Sequence, residues 1–108
     1  MAYDPKLAER IRKSLKGVPF VEKKMFGGVG YLIHGNMACG VHRDHLMVRV
    51  DPAKHEQLLR KPHVLPFDLT GKPMKGWLLV KPAGCGTGKQ LDTWVNTGVD
   101  FVLTLPSK

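Results

Sequence analysis

Apolar and polar positions sort this chain into alternating helical and extended segments. Leu7, Ile11 and Leu15 recur at four-residue spacing, the stripe of an amphipathic helix. Asp4-Pro5 supplies its start, an acceptor at the N-cap followed by a residue without an N–H, and Gly17 with Pro19 supplies its stop. Val21 to Phe26 reads as a strand, and Gly27-Gly28 turns the chain into the stretch that organises the rest. From Met25 to Val50 the alternation has period two. Gly35-Asn36 and Arg43-Asp44 stand as two-residue links between three antiparallel strands. That register sets Ile33 opposite Ala38, Leu32 opposite Cys39, Tyr31 opposite Gly40, Val41 opposite Leu46 and Cys39 opposite Val48. One face then carries Gly30, Leu32, His34, Met37, Cys39, Val41, Leu46, Val48 and Val50, the predicted core side. The other carries Val29, Tyr31, Ile33, Ala38, Gly40, His42, His45, Met47 and Arg49, a mixture.

Asp51-Pro52 repeats the start signal and predicts a short helix over Ala53 to Arg60, anchored by Leu58 and Leu59. Pro62, Pro66, Gly71 and Pro73 allow at most an edge strand over Val64 to Leu69. Gly76 to Lys81 is a clearer strand. Leu91, Trp94, Val95, Gly98, Val99 and Val102 keep the strongest helical spacing in the chain, so this last helix is expected to cover the core face. The class predicted is α+β in two layers: an antiparallel sheet with helices mainly on one face, in the order α-β-β-β-β-α-β-β-α. A single domain over residues 1–108 is expected.

Composition changes this picture in one respect. Hydrophobic residues at 43% and charged residues at 24% are ordinary for a globular chain. No apolar run approaches a membrane span, and no signal-peptide pattern opens the sequence, so a cytoplasmic protein with no membrane partner is expected. Cys39 and Cys85 form no framework, and read as a buried thiol and a loop thiol. The distinctive property is charge: 17 Lys and Arg against 9 Asp and Glu, a net +8. Such a balance suits polyanionic partners. The excess lies in Lys6 to Lys24 and Arg60 to Lys89, without the aromatic interleaving of a single-strand groove.

Four constellations could carry chemistry. Gly84, Gly86, Gly88 and Lys89 lie in a glycine-rich loop before a helix, a setting for an anion site. Ala83 and Gln90 break the nucleotide-hydrolase pattern, so a plain connection with weak anion affinity is the expectation. His42 and His45 flank a turn on the mixed face, with no third ligand evident for a metal. Cys85 would be a reactive thiol if Lys89 and the helix start lowered its pKa, although no histidine base is predictable beside it. Tyr31, Met47 and Arg49, with His42 and His45, give the mixed face the composition of a partner surface. No catalytic set, metal site or cofactor is expected.

The run KKMFGGVGYLIHGNMACGV, then LMVRV, PMKGWLLV and a late Leu91-x-x-Trp94-Val95, resembles the N-terminal domain of the TfoX/Sxy proteins. Its most specific parts are Met25-Phe26-Gly27-Gly28 and Pro73-Met74-Lys75-Gly76-Trp77. The resemblance implies a two-layer α+β fold and a bacterial regulator of competence that acts with transcription machinery. It also implies a stand-alone version of that domain, because the relatives carry a second, C-terminal domain. It brings no catalytic residues. The expectation is therefore a non-enzymatic regulatory domain with a protein partner, a regulator or a polymerase-associated protein, as a monomer or homodimer. The alternative is a nucleic-acid-binding domain using the basic surface, and after it a small anion-binding or thiol enzyme.

Overall fold

The computed structural model describes residues 3–25, 27–68 and 74–107, for Met25 the backbone only. Phe26 and Pro73 of the two distinctive motifs lie outside the described residues. The first helix, α1 (Pro5–Ser14), starts where Asp4 accepts from the backbone N–H groups of Lys6 at 2.9 Å and Leu7 at 3.4 Å. It buries Leu7, Ala8 and Ile11, followed by Leu15 just past its end. Strands β1 (Val21–Met25), β2 (Gly28–Ile33), β3 (Asn36–His42) and β4 (His45–Arg49) follow as an antiparallel meander. A single turn of 3₁₀ helix over Pro52–Lys54 leads into α2 (His55–Leu59), so the expected helix is present in two parts. The edge strand β5 (Val64–Pro66), β6 (Trp77–Val80) and the long helix α3 (Gly88–Val102) complete the chain. The sheet has the order β1-β2-β3-β4-β6-β5, antiparallel throughout. The α+β class and the order of elements agree with the pattern of the sequence. No helix among the described residues is long and apolar enough to cross a membrane.

The register differs from the expectation in the first hairpin, and the difference exchanges faces. The link is His34-Gly35, with φ of 53° and 82°, the pair of left-handed residues that a type I′ turn requires. Ile33 therefore pairs with Asn36 and Leu32 with Met37. Ala38 is an extra residue, a bulge, after which Tyr31 pairs with Cys39 and Val29 with Val41. Beyond the bulge the predicted pairs hold: Val41 with Leu46 and Cys39 with Val48, across the Arg43-Asp44 turn. On β2 it is thus Val29, Tyr31 and Ile33 that join Cys39, Val41, Leu46 and Val48 under the helices, all of them buried. Leu32 moves to the opposite face. A one-residue change of pairing is enough to do this, because strand side chains alternate.

Helix α3 lies across β3 and β4 with Leu91, Trp94, Val95, Gly98, Val99 and Val102 buried. Its start is a capping box: Thr87 Oγ1 accepts from Gln90 N, and Gln90 Oε1 accepts from Thr87 N, both at 3.1 Å. Gly98 sits where the bulge brings the sheet backbone close. A Cβ there would overlap the Ala38 carbonyl oxygen and stand 3.4 Å from Arg49 O. Helix α1 is clamped beside α3. Ser14 donates to Asp92 at 2.7 Å, and Tyr31 on the sheet donates its hydroxyl proton to Ala8 O at 3.2 Å. Burial, with Glu22 nearby, pushes the Tyr31 phenol well above its ordinary pKa, so it stays a hydrogen-bond donor. At the far edge of the sheet β1 is exposed and carries Glu22, Lys23 and Lys24, charges that discourage edge-to-edge pairing.

Candidate interaction surface

The helix-free face of the sheet is where the surviving surface residues gather. Two of the five residues expected on a partner surface are not available to one. Tyr31 is 0% exposed on the opposite face beneath α1, and Met47, although on the helix-free face, is 2% exposed. Tyr31 moves because of the bulge. Met47 is central in the sheet, between Gly40 on β3 and Leu79 on β6. Arg49, His42 and His45 remain half-exposed. His42 and His45 are cross-strand neighbours, and His45 Nδ1 lies 2.7 Å from Asp44 Oδ1. Burial lowers the pKa of His42, helped by the charges of Arg43 and His45. Among the described residues no three His, Cys, Asp or Glu side chains converge as a metal site.

A chain of π contacts crosses this face. The ring of Phe67, which follows β5, stands 6.1 Å from His42 and 6.0 Å from Trp77. Trp77 pairs across the strands with Arg49, whose guanidinium carbon lies 5.7 Å from the Trp77 ring and 5.6 Å from the Phe101 ring. A guanidinium placed against two aromatic faces is held by cation–π attraction while its N–H edge stays available. Among the described residues no carboxylate forms an ion pair with it. Met74, exposed, lies beside this corner, its carbonyl accepting from Trp77 N at 3.1 Å. The arrangement can take a carboxylate at Arg49 and apolar side chains at Trp77 and Phe101.

Trp77 belongs to one of the two distinctive motifs of the sequence. The TfoX N-terminal domain matches residues 13–102. The chain belongs to that family. No curated protein and no solved structure matches it. Within the motifs the described residues have structural work. Gly27 turns the chain with φ +73° and Gly28 opens β2. Lys75 is exposed, and Gly76, with φ +90°, donates its N–H to the buried His55 Nδ1 at 3.0 Å. That bond ties the start of β6 to α2, and Gly76 O accepts from Val50 N at 2.8 Å. Trp77 is the motif residue left facing the Arg49 corner.

The glycine-rich loop is more ordered than a plain connection. Pro82–Gly84 form a 3₁₀ turn, and Arg10 Nη2 donates to the carbonyls of Cys85, Gly86 and Thr87 at 2.8, 3.2 and 3.3 Å. Three carbonyls serving one cation make this flank of the loop the opposite of an anion cradle. Gly84 is buried with its amide spent on Lys81 O, whereas Gly86 and Gly88 are exposed and Lys89 lines a cleft along α3. Cys85 is a free thiol in this loop, as expected, but it is buried, with its Sγ 3.6 Å from Lys81 O. Burial pushes its pKa up against the pull of Arg10, so the proposed activation by the helix start does not operate.

Half-buried Phe101 and buried Phe67, which frame the Arg49–Trp77 pair, stand outside the partner surface expected from the sequence. A signal for Phe101 was present: it shares one flank of α3 with Trp94 and Thr97 at spacings of three and four.

Proposed function

We propose that this domain is a regulatory module that docks a partner protein on the corner formed by Arg49, Trp77 and Phe101. Membership of the TfoX N-terminal domain family supports transcriptional control of competence as its setting. The observation that carries the reading is the Arg49 guanidinium held between two aromatic rings with no carboxylate partner among the described residues. Arg and Trp are the residue types in which binding energy concentrates, and pre-ordering the Arg lowers the entropy lost on docking. The matching partner segment is acidic, with an apolar residue beside the carboxylate, in keeping with the +8 charge of the chain. Capture from the native cell with wild type and Arg49→Glu tests it: a partner retained by wild type and lost by the variant, at unchanged circular dichroism, is expected.

Direct nucleic-acid binding is the second reading, favoured by the same net charge. Titration of labelled DNA and RNA at two salt concentrations separates the two. A steep salt slope, independent of Arg49, favours nucleic acid, and no binding at low salt removes it.

A further inference from the structure

A cleft of about 370 Å³ runs between the segment after α2 and the first half of α3. It lies on the flank of α3 away from Arg10, where the lining residues are Thr87, Lys89, Gln90, Thr93, Trp94 and Thr97. Lys61 and His63 close it from the other side, so Lys61, His63 and Lys89 stand on its walls with no carboxylate among them. Lys61 Nζ lies 5.5 Å from the centroid of the Trp94 ring. With Lys61 drawn onto an aromatic face, Lys89 on the wall and neither in an ion pair among the described residues, the cleft keeps its positive charge.

The hydroxyl groups divide by what they can offer. Thr93 and Thr97 donate their protons to the carbonyls of Lys89 and Thr93 at 2.9 and 2.8 Å, so their lone pairs remain as acceptors. Thr87 Oγ1 instead accepts from Gln90 N, which leaves its own proton to donate. The Thr87 amide is already bound to Gln90 Oε1, so recognition falls to the side chains.

The geometry points to this cleft as a binding site for a small organic phosphate that carries hydroxyl groups, of sugar-phosphate size. The phosphate sits against Lys61, Lys89 and the Thr87 hydroxyl, with His63 on the same wall as Lys61. Hydroxyl protons of the ligand go to Thr93 and Thr97. The volume lies at the small end of the range for ligand sites, roughly 300–1,000 Å³. This site is separate from the Arg49 corner and stands whether or not that surface docks a partner.

The test is a titration of the ¹⁵N-labelled protein followed by NMR. The probes are ribose 5-phosphate, ribose, inorganic phosphate and a short single-stranded oligonucleotide. Ribose 5-phosphate is expected to give saturable shifts at Thr87, Lys89, Thr93 and the Trp94 indole, and ribose none. Inorganic phosphate should move the same signals with lower affinity. Removing both Lys61 and Lys89 as K61A/K89A should weaken binding at least about tenfold, the scale of a charge-assisted contact. Lys13→Ala, at an exposed position of α1, should leave binding unchanged. Three results would overturn the assignment: no saturable shift, an equal response in K61A/K89A, or equal affinity for inorganic phosphate and the sugar phosphate. Tighter oligonucleotide binding with shifts spread over other faces would overturn it in favour of a general polyanion surface.

Discussion

Replacing Gly98 by alanine asks whether the bulge and the last helix are fitted to each other. The added methyl would overlap the Ala38 carbonyl oxygen and lie 3.1 Å from its carbon. Both are backbone atoms of a buried strand and cannot swing aside, so α3 must retreat by about 1 Å to restore ordinary contact distances of ~3.5 Å. That retreat loosens Leu91, Trp94, Val95, Val99 and Val102 together, since all are buried beneath the same helix. Overpacking of this kind costs typically about 1–3 kcal/mol, and at a backbone contact the upper end applies. Alanine recovers about 1 kcal/mol of helix propensity. The net expectation is a loss of about 2 kcal/mol, or a fall in Tm of about 8 °C for a domain of this size. Urea unfolding followed by circular dichroism measures it, with the exposed Asn96→Ala as a helix control that should change stability by only a few tenths of a kcal/mol. A Gly98→Ala protein as stable as wild type, or more so, would refute the close approach and with it the placement of the bulge at Ala38.

His55, the two thiols and His42 each give a further outcome. His55→Leu strands the Gly76 amide without an acceptor and should cost about 1–3 kcal/mol in the same unfolding assay. Neither thiol should react with Ellman's reagent in the native protein, because burial pushes Cys39 up to about 12 and raises Cys85 as well; rapid labelling of one thiol before denaturant is added would contradict this. His42 is held below its ordinary value in the folded chain, so the unfolded chain takes up that proton first as pH falls. Its contribution is present above pH 6.5 and lost as pH drops through the folded value, so Tm should decline there and His42→Gln should flatten the decline.

Much of the fold was legible in the sequence because its signals are local. Asp4-Pro5, Asp51-Pro52 and the α3 stripe each carry their own start or periodicity, and each marks an element found in the structure. The first hairpin was not legible, because Gly35 suits either neighbour as its turn partner, and only His34 adopting φ 53° decides between them. The bulge at Ala38 left no mark in the alternation, since Leu32 and Tyr31 are both apolar enough for a core. The candidate surface suffered for the same reason. Arg49, His42 and His45 stayed on the helix-free face, whereas Tyr31 went under α1. Phe101 and Phe67 reach Arg49 and Trp77 from segments distant in sequence, and no spacing encodes such contacts.

We propose Arg49, lying against the rings of Trp77 and Phe101, as the docking corner of this TfoX N-terminal domain. The most direct measurement is the dissociation constant of the captured and purified partner for wild type, Arg49→Glu and a charge control, Lys16→Glu, on the exposed turn after α1. A charge reversal at the centre of an interface should weaken binding by more than about a hundredfold, near 3 kcal/mol. The control, with the same change of net charge, should shift it by less than about threefold. Equal weakening by both variants, or none by Arg49→Glu in a correctly folded protein, would rule out docking at this corner.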